Sequence, residues 1–150
     1  MCRARSSGNR GAPCASPAYL KAHGAPRLPE DLARHNCLTY EYVAPRSVWS
    51  FRDAAGAERS VRVGGSLHAN NGDLLAEVAA QGAGIVFEAA FIVGPEVRAG
   101  RLVPLLQEFV SAPMPIYAVY PSRKHLSAKV RLFVDFLLER FARSQDWSTA

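Results

Sequence analysis

Glycines and prolines cut this chain into short β-branched runs that alternate with helical periods, and that alternation limits its fold more than any other feature. The pattern is densest between residues 66 and 93. There, 66–69 reads as a strand that delivers the polar cluster Asn70-Asn71-Gly72-Asp73 to the start of a helix. Leu74, Leu75, Val78 and Ala79 recur at helical spacing on one side of that helix, and Gly82 closes it as a left-handed cap would. A short buried strand is expected over 85–87, and Gly94-Pro95-Glu96 restarts a helix that Gly100 ends.

The flanking segments continue the theme. Residues 12–15 predict a short strand, after which Ser16-Pro17 reads as an N-cap followed by proline at the first helical position, with Gly24 as the stop. A second short helix is expected from Leu28-Pro29-Glu30-Asp31, whose acids suit the positive end of a helix dipole. Residues 37–43 are β-branched and aromatic enough for a strand. Trp49-Ser50-Phe51 and 60–63 alternate around a turn-forming stretch at 53–58, so a hairpin is expected. Further on, 116–120 predicts a strand, and Ser127 caps the longest helix, where Val130, Phe133, Val134, Leu137, Leu138 and Phe141 follow helical spacing. Strands and helices interleaved in this way indicate an α/β layer architecture.

A chain of 150 residues with 49% hydrophobic and 21% charged residues suits one globular domain with a sizeable core. No apolar run is long enough to span a bilayer, and the first residues lack the apolar centre of a secretory signal, so a cytoplasmic protein without membrane contact is expected. The net charge of +5 is concentrated early: Arg3, Arg5, Arg10, Lys21 and Arg27 all precede the first acid, Glu30. After them bases and acids balance. The basic character therefore belongs to an end, read as a loose arm over 1–12, and gives no sign of a nucleic-acid-binding face.

Cys2, Cys14 and Cys37 form no paired motif, and an odd number argues against a disulfide framework. His23, His35, His68 and His125 lack metal-ligand spacing, so neither metal nor cofactor is expected. His35 lies close to Cys37, but on a strand the two need not converge and no orienting third group follows. Without an activated nucleophile, acid/base pair or metal, no catalytic residue is assigned.

A set of short motifs occurs in a fixed order: Cys14-Ala15-Ser16-Pro17-Ala18-Tyr19-Leu20, Pro29-Glu30-Asp31-Leu32 with His35-Asn36-Cys37-Leu38, Asn71-Gly72-Asp73, Gly82-Ala83-Gly84-Ile85, Gly100-Arg101-Leu102-Val103-Pro104-Leu105-Leu106 and Tyr117-Ala118-Val119-Tyr120-Pro121. Together they resemble the effector-binding domain of LysR-type bacterial transcriptional regulators over residues 13–143. The resemblance implies a fold like a type 2 periplasmic binding protein, in which two lobes joined by crossover strands hold a small molecule between them. By matching order, 18–110 is a nearly complete second lobe and 113–143 a remnant of the first, its final strand and helix, followed by a tail at 144–150. The family's helix-turn-helix has no counterpart, so the chain reads as a truncated sensor without sequence-specific nucleic-acid binding of its own. At Phe87-Glu88-Ala89 the sequence departs from the family, which more often has a proline before an aspartate.

The resemblance further implies a small-molecule effector, often aromatic or carboxylate-bearing, and a homo-oligomer. Ligands of open α/β sheets sit beyond the carboxyl ends of strands, where helix N-termini present free N–H groups. The expected contacts are Ser16, Tyr40, Glu41, Asn70, Asn71 and Asp73. Capping competes with ligand contact at Ser16, Asn71 and Asp73, whereas Asn70 favours contact; of Tyr40 and Tyr42, at most one faces a cleft. A stand-alone small-molecule-binding domain with no role in transcription is the alternative.

Overall fold

The computed structural model describes residues 2–6, 10–41, 48–111, 116–120 and 127–143. Its centre is a mixed five-stranded sheet in the order β6-β3-β7-β2-β8, formed by His68–Ala69, Cys37–Tyr40, Ile85–Ala89, Gly11–Ala15 and Val103–Pro104. Strands β6, β3 and β7 run parallel, while β2 runs against both β7 and β8. A second sheet, β5-β4-β9, joins the hairpin of Val48–Arg52 and Glu58–Arg62 to Val110–Ser111. A third pairs β1 (Cys2–Ser6) with β10 (Ile116–Tyr120) in antiparallel register.

The alternation of the strands divides the core in two. On one face, Cys14, Leu38 and Val86 meet Leu75, Ala76 and Ala79 of α2 (Gly72–Ala80) and Val93 of α3 (Ala90–Arg98). On the other, Ala15, Cys37 and Ile85 join Tyr19 of α1 (Pro17–His23), Leu32 and the hairpin residues Trp49, Phe51 and Val61. Phe87 lies between the two sheets, its ring 5.2 Å from Trp49 and 5.6 Å from Phe51, separations at which aromatic pairs attract.

Several local signals act as expected. The Ser16 hydroxyl accepts from the Tyr19 amide at 3.2 Å, and the Asn71 side chain accepts from Leu74 at 3.1 Å, so both residues cap helices. Gly82 and Gly100 take positive φ at the ends of α2 and α3. In the hairpin turn the Asp53 carboxylate accepts from the amides of Ala55 and Ala57. Ser127 lies within reach of the Val130 amide at the start of α4 (Ala128–Arg143).

Other expectations need correction. Cys2–Ser6 and Gly11, read as part of a loose arm, belong to strands through main-chain pairing with β10 and β7, while the strand expected over 12–15 is in place. The short helix expected after Leu28 is present as a 3₁₀ helix over Pro29–Arg34. Strand β3 ends at Tyr40, and Tyr42 and Val43 lie outside the described residues. The helix expected to restart at Gly94 is α3, which begins at Ala90 with Pro95 inside it. Losing one N–H there is offset by burial of Val93 and partial burial of Ile92 and Val97 against α2 and the sheet. Leu74, placed on the inner side by periodicity, is 49% exposed, because α2 is rotated to bury Leu75, Ala76 and Ala79.

Along α4, Val134 is buried, but Phe133, Leu132 and Phe136 stand out into solvent. Phe141 falls among residues whose side chains are not described.

At the edge where α2 runs into β7, Asn36 joins three segments. Its side-chain N–H groups donate to Ser66 Oγ at 3.0 Å and to the Ala83 carbonyl at 2.6 Å, and its Oδ1 accepts from the Ser66 amide at 2.7 Å. Its own carbonyl receives the Ile85 amide at 2.8 Å. Gly84 lies so close that an added Cβ would collide with the Asn36 main-chain oxygen. Gly84→Ala is therefore expected to destabilise the fold by about 2 kcal/mol, as overpacking against rigid backbone does. Urea unfolding checks this, and an unchanged midpoint would contradict the close approach.

Candidate functional site

The carboxyl ends of β3, β6 and β7 share one edge of the central sheet, because the three strands are parallel. Tyr40 ends β3, and the Glu41 amide donates to the Ala69 carbonyl at 2.8 Å, so β3 and β6 leave the sheet together. Asn70 and Asn71 follow β6, and α2 starts immediately afterwards with Gly72 and Asp73. Asn70, Asn71 and Asp73 are exposed, and Tyr40 and Glu41 are half-buried. Five of the six expected contacts thus gather on one edge, around a helix N-terminus.

Ser16 does not join them. It follows the last residue of β2, and β2 is antiparallel to β7, so Ser16 leaves the sheet at the opposite edge. A five-residue strand spans about 17 Å. There its hydroxyl is buried, caps α1 and faces Gly82, whose added Cβ would sit 3.6 Å away. Direction, which a lone strand does not carry in its sequence, separates Ser16 from the rest.

The residue that sequence reasoning left undecided here is Glu88. Within β7, Val86 and Glu88 point toward α2 and α3, on the face shared with Leu38 and Tyr40. Cys37 pairs with Ile85 and Leu38 with Val86, and carrying that register onward brings Tyr40 level with Glu88. On the other side, Glu88 pairs with Ala12. Its carboxyl group packs on Gly72: an added Cβ there would lie 3.1 Å from Glu88 Oε2 and 2.7 Å from the Ile92 side chain. Only 7% of Glu88 is exposed, and its buried Oε1 has no hydrogen-bond partner among the described residues. Burial pushes the Glu88 carboxyl up to about 7; the Ala89 amide opposes the rise and the nearby Asp73 carboxylate adds to it. The available signal was an acid in an otherwise apolar strand, Ile85-Val86-Phe87-Glu88-Ala89.

The remaining polar groups have structural roles. The Tyr19 hydroxyl accepts from the Asn36 amide at 3.0 Å and lies 3.2 Å from His35 Nδ1, while burial holds the His35 imidazole below its ordinary value. The Cys37 thiol donates instead to the Leu32 carbonyl, and burial pushes it up to about 12, as it does Cys14. His35 and Cys37 do not converge, and thiols so raised are poor nucleophiles. Apart from this edge, Arg10, Ser50, Phe51, Arg52, Glu58, Val110 and Ser111 line a cavity of about 360 Å³ between the hairpin and the start of β2.

The model of the LysR substrate binding domain matches residues 9–142. The HTH-type transcriptional regulator CrgA of Neisseria meningitidis serogroup B is 35% identical over 131 residues, which is 87% of this chain and 43% of that protein. DmlR of Escherichia coli K12, also an HTH-type transcriptional regulator, is 37% identical over 130 residues, 86% of this chain and 42% of its own length. The chain therefore spans less than half the length of these curated relatives. Among solved structures, the CrgA regulatory domain from Neisseria meningitidis superposes with a TM-score of 0.78 at 33% identity, covering 93% of this chain and 68% of that one. The full-length Vibrio cholerae virulence activator AphB, a member of the LTTR protein family, gives 0.79 at 26% identity, covering 94% and 48%.

Two outcomes follow from this geometry. The Glu88 carboxyl titrates higher in the fold than in the unfolded chain, so its ionised form opposes folding. That penalty is absent below the ordinary value of 4.5, grows between 4.5 and about 7, and is complete above 7. Glu88→Gln is expected to gain stability over the parent as pH rises through this window, by about 3 kcal/mol in all. Urea unfolding at pH 5 and pH 8 measures it, and a gain independent of pH would refute the burial of an ionisable group. Asn71→Ala, which removes the cap of α2, should cost about 1 kcal/mol at either pH.

Proposed function

We infer that this chain, which belongs to the LysR substrate-binding domain family, is the part of a transcriptional regulator that holds a small-molecule effector and associates with copies of itself. The single observation behind this reading is the convergence of Tyr40, Glu41, Asn70, Asn71 and Asp73 at the carboxyl edge of β3 and β6, around the first turn of α2. Free amides at such a turn and amide side chains that both donate and accept are suited to gripping small polar metabolites. Ser16 is left out of the proposed contacts, since it caps α1 at the far edge.

The reading is one of binding rather than catalysis, and of a cytoplasmic protein. No helix among the described residues is long and apolar enough to cross a membrane. The relatives reported above are transcriptional regulators, which weighs against a binding domain unconnected with transcription. Residues 18–110 serve as one lobe and 113–143 as a contribution to the other, with control of transcription exerted through a DNA-binding segment of the intact regulator rather than through sequence-specific contacts from this chain.

Calorimetry against a panel of small metabolites tests the reading. A true effector should saturate, and Asn70→Ala should weaken it by about tenfold, the worth of a hydrogen bond to a polar ligand. Saturation untouched by Asn70→Ala would remove this edge as the site. Self-association is a separate outcome: Leu132, Phe133 and Phe136 form an exposed apolar strip on α4, and burying such a strip favours oligomers. Light scattering should show oligomers at micromolar concentration that Phe133→Lys together with Phe136→Lys shifts toward monomer. A parent chain that stays monomeric would defeat that part.

A further inference from the structure

The Glu88 carboxyl is an unusual wall for a binding edge. It lies 93% buried at the carboxyl end of β7, packed against the first residue of α2, and its Oε1 has no partner among the described residues. Buried polar atoms without partners are uncommon in native folds, and one beside a binding edge calls for a group that completes it. The surroundings decide what kind of group. Asp73 on α2 faces Glu88 closely enough to raise its titration, and Tyr40 and Glu41 lie at the neighbouring end of β3. His68 on β6 is engaged with Thr39 at 2.5 Å, and the first turn of α3 carries no acid and, in Ala90, Phe91, Ile92 and Val93, no base. Arg10, just ahead of β2, belongs to the lining of the hairpin cavity. The partial positive charge of about half a unit at the α2 N-terminus is outweighed by two carboxylates once Glu88 ionises.

We propose that Glu88 is the specificity-determining residue of this edge, and that the ligand presents an ammonium group to its carboxyl beside Gly72. The proposal rests on the small-molecule reading above and names the class of ligand: a primary amine, with any ring or apolar part lying toward Tyr40. Asn70 and Asp73, both exposed, lie on the same edge, and the terminal torsion of a glutamate is soft enough to exchange its two oxygens between the wall and the ligand. A carboxylate ligand would meet Glu88, Asp73 and Glu41 on one edge, with repulsion in place of attraction.

The test is calorimetry on the full chain with a matched pair of probes, phenethylamine and phenylacetate, at pH 6 and pH 8. An ammonium pairs with ionised Glu88. For a group titrating at about 7, the ionised fraction rises from about a tenth to about nine-tenths across that range. Phenethylamine should therefore bind about tenfold more tightly at pH 8 than at pH 6, with proton release seen as a dependence on buffer ionisation heat. Glu88→Gln should weaken the amine and abolish its pH dependence. The pH series on the unaltered chain stands even where that variant fails to fold. Amine affinity that is flat with pH, amine binding indifferent to Glu88→Gln, or no saturation up to about 10 mM, the weakest range calorimetry resolves, would overturn the proposal. Phenylacetate binding that tightens at pH 6 while the amine fails would also overturn it, yet would leave the small-molecule reading intact. That reading falls only with the metabolite panel and Asn70→Ala.

Discussion

The hydrogen bonds of Asn36 set the frame on which the rest of the sheet is aligned. One side chain ties the approach to β6 through Ser66 and the loop before β7 through Ala83, while its main-chain oxygen receives Ile85 as β7 begins. Strands β3 and β7 therefore start level, with Cys37 opposite Ile85, and β6 joins two residues later, opposite Thr39. In that register Tyr40, Ala69 and Glu88 come level at the opposite edge, where α2 sets its first turn. Gly84, pressed against the Asn36 main chain, allows an approach that a methyl group would block, and at the other edge Gly72 lies against the ends of the Glu88 and Ile92 side chains, which a methyl group would have to push aside. The candidate edge is thus positioned from the far side of the sheet.

What could be read from the amino acids alone was whatever they decide locally. The caps at Ser16 and Asn71, the left-handed glycines at Gly82 and Gly100, and the hairpin around Asp53 each depend on a few neighbouring residues, and each is in place. The misreadings share a different cause. Gly94-Pro95 looks like a fresh helix start, yet the helix is already running, because Val93 and its neighbours bury a face against α2. Leu74 faces outward because α2 takes its rotation from packing rather than from its own hydrophobic period. Residues 2–6 form a strand through a partner more than a hundred positions away, which no local propensity foretells.

The candidate site shows the same division more sharply. Five of its expected members were legible as polar residues following strands. Ser16 looked equivalent, and only the antiparallel course of β2 sends it to the other side. Glu88 was visible as a departure from the family pattern, but its meaning depends on two long-range facts: it faces the helices rather than the hairpin, and Gly72 sits on its carboxyl. An acid on the Phe87 side of β7 would have lain between two sheets of aromatic residues; on the side it occupies, it borders the polar turn at Asn70–Asp73.

Finally, the Ser111 hydroxyl donates to the Gly11 carbonyl at 2.5 Å, joining positions one hundred residues apart. Gly11 opens the strand that carries the central sheet, and Ser111 closes the one that carries the hairpin sheet. The start of β2 and the end of β9 are therefore fastened together at a single polar point. Displacing either end without the other gives up that bond, on the order of 1 kcal/mol, so the first residue of β2 and the last of β9 hold each other's place.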